Sequence, residues 1–248
     1  MKRLLILGGT GEAAALHEAA AARFGDNLGI VSSRAGRTFE PRSLPGMVRS
    51  GGFGGAAGLA RWLGEEEIDM VVDATHPYAA QISANARAAC EALGIDRVTL
   101  WRPPWAPQHG DNWITVPDTA AAAAILPRYG KRAFLALGSG QLWQFAGVKG
   151  VWLMSRVAET PEPHNAPPGF VVVGRGPFDP DDEMRLMEEQ DIDLLVSRNS
   201  GGEATVGKII AARRRGIPVI MLDRPTPEPG ERCSELQEVM EWIARRLD

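Results

Sequence analysis

Short apolar runs alternate with longer helical patterns along nearly the whole chain. The first run, Leu4-Leu5-Ile6-Leu7, leads into an alanine-rich helical stretch, and Leu28-Gly29-Ile30-Val31 and Met47-Val48-Arg49-Ser50 read as the next two strands. A helix around Ala56 to Glu66, a strand Met70 to Asp73, a helix Ala79 to Leu93 and a strand Arg97 to Leu100 complete this series. Apolar strands separated by helices predict a parallel sheet covered on both faces. The prolines of Arg102-Pro103-Pro104-Trp105-Ala106-Pro107 then deny the chain both helix and ladder, which marks a domain boundary. A second series follows, with strands at Trp113–Val116, Ala133–Leu137, Val151–Met154, Phe170–Val173, Leu194–Val196 and Pro218–Leu222. Its helices fall at Thr119–Leu126, Asp181–Gln190, Ala204–Arg215 and the carboxyl end. The expectation is α/β: two doubly wound, Rossmann-like parallel-sheet domains, residues 1–106 and 107–248, the second of Rossmann or flavodoxin type.

The turn Gly8-Gly9-Thr10-Gly11-Glu12 lies between the first strand and the first helix. In the register Gly9-x-Gly11-x-x-Ala14 it fits the dinucleotide fingerprint, whose glycines let the backbone approach a pyrophosphate at a helix amino terminus. Many strand-to-helix turns use glycine for sterics alone, so the motif by itself leaves that reading open. The second strand runs into Ser32-Ser33-Arg34-Ala35-Gly36-Arg37. NAD sites usually place an acid here for the ribose 2′-hydroxyl, whereas hydroxyls and a guanidinium suit a 2′-phosphate. The first domain thus reads as an NADPH site built from Gly8, Gly9, Thr10, Gly11 and Glu12 with Ser32, Ser33 and Arg34. A solvated loop with ordinary arginines is the alternative.

Three further strand ends carry polar turns, and ligands in open α/β sheets sit at the carboxyl ends of strands. In Asp73-Ala74-Thr75-His76-Pro77-Tyr78, Thr75 is placed to cap the following helix and to meet the cofactor, while His76 and Tyr78 project toward a ligand. A histidine after a strand also serves as a structural hydrogen-bonder. The second turn is Leu137-Gly138-Ser139-Gly140-Gln141. The third, Ser197-Arg198-Asn199-Ser200-Gly201-Gly202, precedes a helix whose early turns hold Thr205 and Lys208. Backbone amides, a guanidinium and an ammonium gathered at a helix start suit a phosphate or carboxylate, though the same residues also describe a helix cap with solvated charges.

Composition narrows the classes. Two modest domains fit within 248 residues, and a net charge of −4 with dispersed Lys and Arg offers nucleic acid no basic face. Cys90 and Cys233 have neither metal spacing nor a secreted framework's density, so they read as reduced thiols and no metal is expected. No apolar stretch has membrane-span length, and Met1-Lys2-Arg3 runs straight into a strand, which points to the cytoplasm. Small-molecule partners and a monomer or small homo-oligomer are expected.

Taken together, Ile6-Leu7-Gly8-Gly9-Thr10-Gly11-Glu12, Asp73-Ala74-Thr75-His76-Pro77-Tyr78-Ala79, Arg102-Pro103-x-Trp105, Gly138-Ser139-Gly140 and Ser197-Arg198-Asn199-Ser200-Gly201-Gly202 resemble the precorrin-6A reductase family of corrin-ring biosynthesis. Only the segment Pro161 to Pro168 aligns with no function. The resemblance implies NADPH-dependent reduction of one double bond in a carboxylate-rich tetrapyrrole. It also implies the cofactor on the first domain and the macrocycle in the cleft between domains. Hydride chemistry is the cofactor's, so no nucleophile or metal is obligatory. On that reading His76 or Tyr78 supplies a proton. Arg102, Ser139, Arg198, Asn199, Ser200, Gly201 and Lys208, with His76, hold the substrate.

Two other functions fit the first domain equally well: an NADP-dependent reductase of a smaller substrate, and a non-enzymatic NADP-sensing regulator. A regulator has no need of a second anion-binding strand end, so the Ser197–Gly202 turn speaks against it.

Overall fold

The computed structural model describes residues 1–34, 47–161 and 169–247. Ala35, Gly36 and Arg37, and residues 162–168 of the Pro161–Pro168 segment, lie outside the described residues. The first series comprises β1 (Lys2–Leu7), α1 (Gly11–Phe24), β2 (Leu28–Arg34), β3 (Met47–Ser50), α2 (Gly55–Glu65), β4 (Met70–Asp73), α3 (Ala80–Leu93) and β5 (Asp96–Leu100). The second comprises β6 (Trp113–Val116), α4 (Thr119–Ile125), β7 (Arg132–Ala136), β8 (Trp152–Val157), β9 (Phe170–Val173), α5 (Pro180–Glu189), β10 (Leu194–Arg198), α6 (Gly207–Arg215) and β11 (Val219–Leu222). The chain ends in β12 (Glu231–Cys233) and α7 (Leu236–Leu247).

The strands form two six-stranded sheets, β12-β5-β4-β1-β2-β3 and β6-β11-β10-β7-β8-β9, in which every neighbouring pair is parallel. The doubly wound α/β expectation therefore holds. Alternation along β1 sends Leu4 and Ile6 to one face, with α1 and α7, and Leu5 and Leu7 to the other, with α2 and α3. All four side chains are fully or almost fully buried. In the second sheet Phe134, Met154, Leu195, Val219 and Met221 pack with Met187 of α5 and with Ile209 and Ala212 of α6.

The domain boundaries need correction. The chain divides into Met1–Pro103 with Pro225–Asp248, and Pro104–Arg224, so the carboxyl-terminal segment belongs to the first unit and not to the second. β12 adds to the edge strand β5, and α7 buries Val239, Met240, Trp242 and Ile243 in the first unit's core. Because β12 is only Glu231-Arg232-Cys233, it shows no apolar run, and nothing local marks it as a strand. The crossing point lies at Pro103–Pro104, inside the proline-rich segment.

In each sheet the strand order reverses about one pair of neighbours, β1 and β4 in the first and β7 and β10 in the second. Loops leaving the carboxyl ends of such a pair diverge to opposite faces and leave a crevice, the usual ligand site of doubly wound sheets.

Candidate active site

At the first reversal the loops are Gly8–Thr10, after β1, and Ala74–Ala79, after β4. Gly8 supports close packing: a Cβ there would come within 3.2 Å of Ala13 Cβ, and its N–H donates to Ser33 O at 2.9 Å. Gly9 has a φ of +103°, and neither Gly9 nor Gly11 has a heavy atom within 4 Å of where a Cβ would stand. That open space at a helix amino terminus fits a pyrophosphate. Thr10 shapes the turn instead of reaching outward. Its Oγ1 donates to Ala74 O at 2.8 Å and accepts from Ala13 N–H at 3.1 Å, capping α1 and tying the two loops together. Glu12, in the first turn of α1, accepts from Arg102 Nη1 at 2.6 Å, so a residue expected at the cofactor and one expected at the substrate engage each other.

Of the three residues expected at the 2′-phosphate, Ser32 points elsewhere. It is 3% exposed, and its Oγ lies 2.7 Å from Nδ1 of the fully buried His17 on α1. Strand alternation gives the reason: Ser32 falls on the α1 face of β2, and its neighbours Val31 and Ser33 on the other. Ser33 is also buried, and Arg34, half-buried, ends β2.

Thr75 is not a helix cap. α3 begins at Ala80 with Ala79 as its capping residue, and the Thr75 hydroxyl donates to Asp73 Oδ1 at 2.7 Å while its N–H donates to the same oxygen at 3.1 Å. Asp73, which sequence reasoning passed over, is 1% exposed and organises this turn. The backbone N–H of Tyr78 donates to His76 Nδ1 at 3.2 Å, and the two rings lie 5.7 Å apart between centroids. An amide can only donate, so Nδ1 carries no proton and neutral His76 is the Nε2–H tautomer.

At the second reversal the Gly138–Ser139 turn, after β7, meets Arg198, the last residue of β10, from which the turn Asn199–Gly202 leaves. Gly138 has a φ of +73°, and a Cβ there would lie 3.3 Å from Arg198 Nη2, so the guanidinium occupies the space that glycine leaves. Ser139 is exposed at the start of a 3-10 turn, whereas Ser200 is buried. Gly201 and Gly202 both have left-handed φ angles, +67° and +78°. Asn199 turns its amide to Trp105: Oδ1 accepts from Trp105 N–H at 2.7 Å, and Nδ2 donates to Trp105 O at 3.0 Å. Beside Trp105 and Asn199 opens a cavity of about 400 Å³, with Trp113, Asp223 and Arg224 also in its wall.

Lys208 is 6% exposed beneath this loop, its Nζ donating to Thr205 O at 2.6 Å and lying 5.0 Å from the Trp105 ring centre. Loss of hydration pushes its pKa down to about 7; the Glu183 carboxylate opposes the shift, and Arg156 and Arg198 add to it. Arg156 grips Glu183 through both nitrogens, at 2.9 and 2.6 Å, and lies against the Phe134 and Phe178 rings. Lys208 was expected at this site from the sequence, but the buried Arg156–Glu183 pair was not singled out. Both cysteines are free thiols, and burial pushes Cys90 up to about 12, which makes it a poor nucleophile at neutral pH. Among the described residues no helix is long and apolar enough to cross a membrane.

A family model described as precorrin-6x reductase CbiJ/CobK matches residues 3–244. A precorrin-6A reductase of Rhodococcus erythropolis is 45% identical, covering 98% of each chain. A cobalt-precorrin-6A reductase of Salmonella typhimurium is 31% identical, covering 98% of this chain and 95% of its own. A solved structure of a CobK precorrin-6A reductase matches with a TM-score of 0.91 at 42% identity, over 99% of this chain and 97% of that one.

Proposed function

The chain belongs to the precorrin-6x reductase family, and from that premise we propose that it is an NADPH-dependent oxidoreductase converting precorrin-6A to its dihydro product in the cytoplasm. A hydride and a proton are added across one double bond of the macrocycle; NADPH supplies the hydride, and the proton comes from the chain or from solvent. The observation that carries the reading is the unfilled space above Gly9 and Gly11 at the first sheet's reversal point.

The chain's own groups divide the work. The backbone of Gly8 to Glu12 holds the pyrophosphate, and Arg34, with Ser33 beside it, holds the 2′-phosphate. Thr75 and Asp73 fix the turn that carries His76 and Tyr78, through which the proton reaches the ring on this reading, solvent returning a proton to His76 Nε2 as one leaves so that no imidazolate forms. A carboxylate-rich ring is met by the Arg198 guanidinium and by donors of Ser139, Ser200 and Gly201. Asn199 and Lys208 serve that loop from beneath, and Arg102 serves the cofactor side through Glu12.

Identity is higher to the Rhodococcus precorrin-6A reductase than to the Salmonella cobalt-precorrin-6A reductase, which favours a metal-free ring as substrate. Incubating the purified protein with NADPH and either the metal-free or the cobalt-loaded ring tests both points, following the nicotinamide and macrocycle absorption bands. Oxidation of NADPH with the metal-free ring alone is the expected result. Turnover of neither ring defeats the assignment, and faster turnover of the cobalt form reverses the choice of substrate.

A further inference from the structure

We infer that Trp105 is a positioning residue for the substrate, clasping both ends of the Asn199–Gly202 turn so that Arg198, Ser200 and the glycine amides present one fixed set of donors. This role rests on the reading that the turn receives the ring's carboxylates.

Gly201 and Gly202 sit in succession at positive φ, and two glycines leave the turn's backbone little intrinsic preference. Its shape must be imposed from outside, and Trp105 imposes it at both ends. At the start of the turn, the Trp105 N–H and C=O close a reciprocal pair with the Asn199 amide at 2.7 and 3.0 Å. At its end, the indole Nε1–H donates to Gly202 O at 3.0 Å. Within the turn Ser200 N–H donates to Arg198 O at 2.8 Å, so fixing the ends also fixes the residue that carries the guanidinium.

The support is itself stiff. Pro104 has a locked φ, and Ala106 before Pro107 is biased to an extended backbone, so Trp105 sits in a segment with few conformations to lose. Its side chain packs against the second unit's core, and the Lys208 ammonium lies 5.0 Å from the ring centre. The proline-rich segment and its tryptophan thus have work beyond linking two domains.

Trp105→Phe retains an aromatic ring and both backbone bonds to Asn199 but loses the bond to Gly202. Amide exchange at Gly201 and Gly202 in the free protein should quicken about tenfold, and KM for the metal-free ring should rise roughly fivefold to tenfold. kcat, NADPH affinity and the thermal midpoint should stay near their native values. A second variant, Asn199→Asp, keeps the acceptor for Trp105 N–H, removes the donor to Trp105 O, and should move KM in the same direction. Unchanged exchange in both variants overturns the clasp. Faster exchange with unchanged KM overturns the positioning role by a different route, because it shows that the turn does not receive the ring, and the proposed substrate site then fails with it.

Discussion

Arg102 donates to the Glu12 carboxylate at 2.6 Å, across 90 residues of chain, in the first turn of the helix that follows the glycine turn. An acid in that turn is favoured by the helix dipole, but it also repels any phosphate bound at the helix terminus. Arg102 neutralises it. Arg102→Ala should therefore weaken NADPH about fivefold to tenfold, more at low salt, with little change in KM for the ring. Adding Glu12→Gln should restore most of the loss. Titrating both cofactor and ring against the single and double variants checks this, and a loss confined to the ring returns Arg102 to the substrate site.

Arg34 and Ser32 should separate cleanly. With Arg34 at the 2′-phosphate as proposed, Arg34→Ala should lower NADPH affinity roughly tenfold to a hundredfold while NADH changes little. Ser32→Ala should leave that discrimination alone and cost about 1 kcal/mol of stability, because it removes a hydrogen bond from the buried His17 ring. Fluorescence titration with both cofactors, alongside urea unfolding, gives both readouts.

His76→Asn keeps an acceptor close to the Nδ1 position, preserving the bond from Tyr78 N–H, and lacks a donor where Nε2 stood. kcat should drop by about two to four orders of magnitude with both affinities retained. His76→Gln, which reaches the Nε2 position but not Nδ1, should loosen the turn and raise both dissociation constants. Near-native turnover in His76→Asn assigns the proton to solvent or to Tyr78.

Lys208 gives a pH signature. The folded chain releases this proton near pH 7 and the unfolded chain near 10.5, so between those values the unfolded state binds more protons. Folding stability should consequently rise with pH across that window, with the burial penalty fully present below pH 7. Lys208→Met removes the charge and keeps the stem. It should unfold at higher urea than the native chain near pH 6 and show a flatter rise toward pH 10. Identical slopes for the two proteins mean that the ammonium stays hydrated in the fold.

What could be read from the chain was whatever depends on neighbours in sequence. Apolar runs such as Leu4–Leu7 and Met70–Asp73 marked the strands, and the glycines marked the turn that leaves open space at the start of α1. What escaped depended on pairings between distant residues. Ser32 has the right chemistry for a phosphate but falls on the wrong face of β2, which only the position of His17 on α1 decides. Asn199 has the right chemistry for a carboxylate, yet its amide meets Trp105, 94 residues earlier. Thr75 lies five residues before the helix it was expected to cap, and Asp73 holds its hydroxyl.

The carboxyl-terminal return of the chain sets an order of events on the ribosome. Pro104–Arg224 is a continuous stretch and can close its sheet as soon as it has emerged. The unit that contains Met1–Pro103 cannot, although that stretch is made earlier, because a sheet strand and the Trp242 and Ile243 side chains that fill its core follow Pro104–Arg224 in the chain. Until α7 has been made, the face of the sheet that it will cover stays open to water, and the glycine turn stands on an unfinished scaffold. A stop codon shortly before α7 should therefore disable the unit that carries the proposed dinucleotide site and leave Pro104–Arg224 intact in sequence, the reverse of what the position of the lesion suggests.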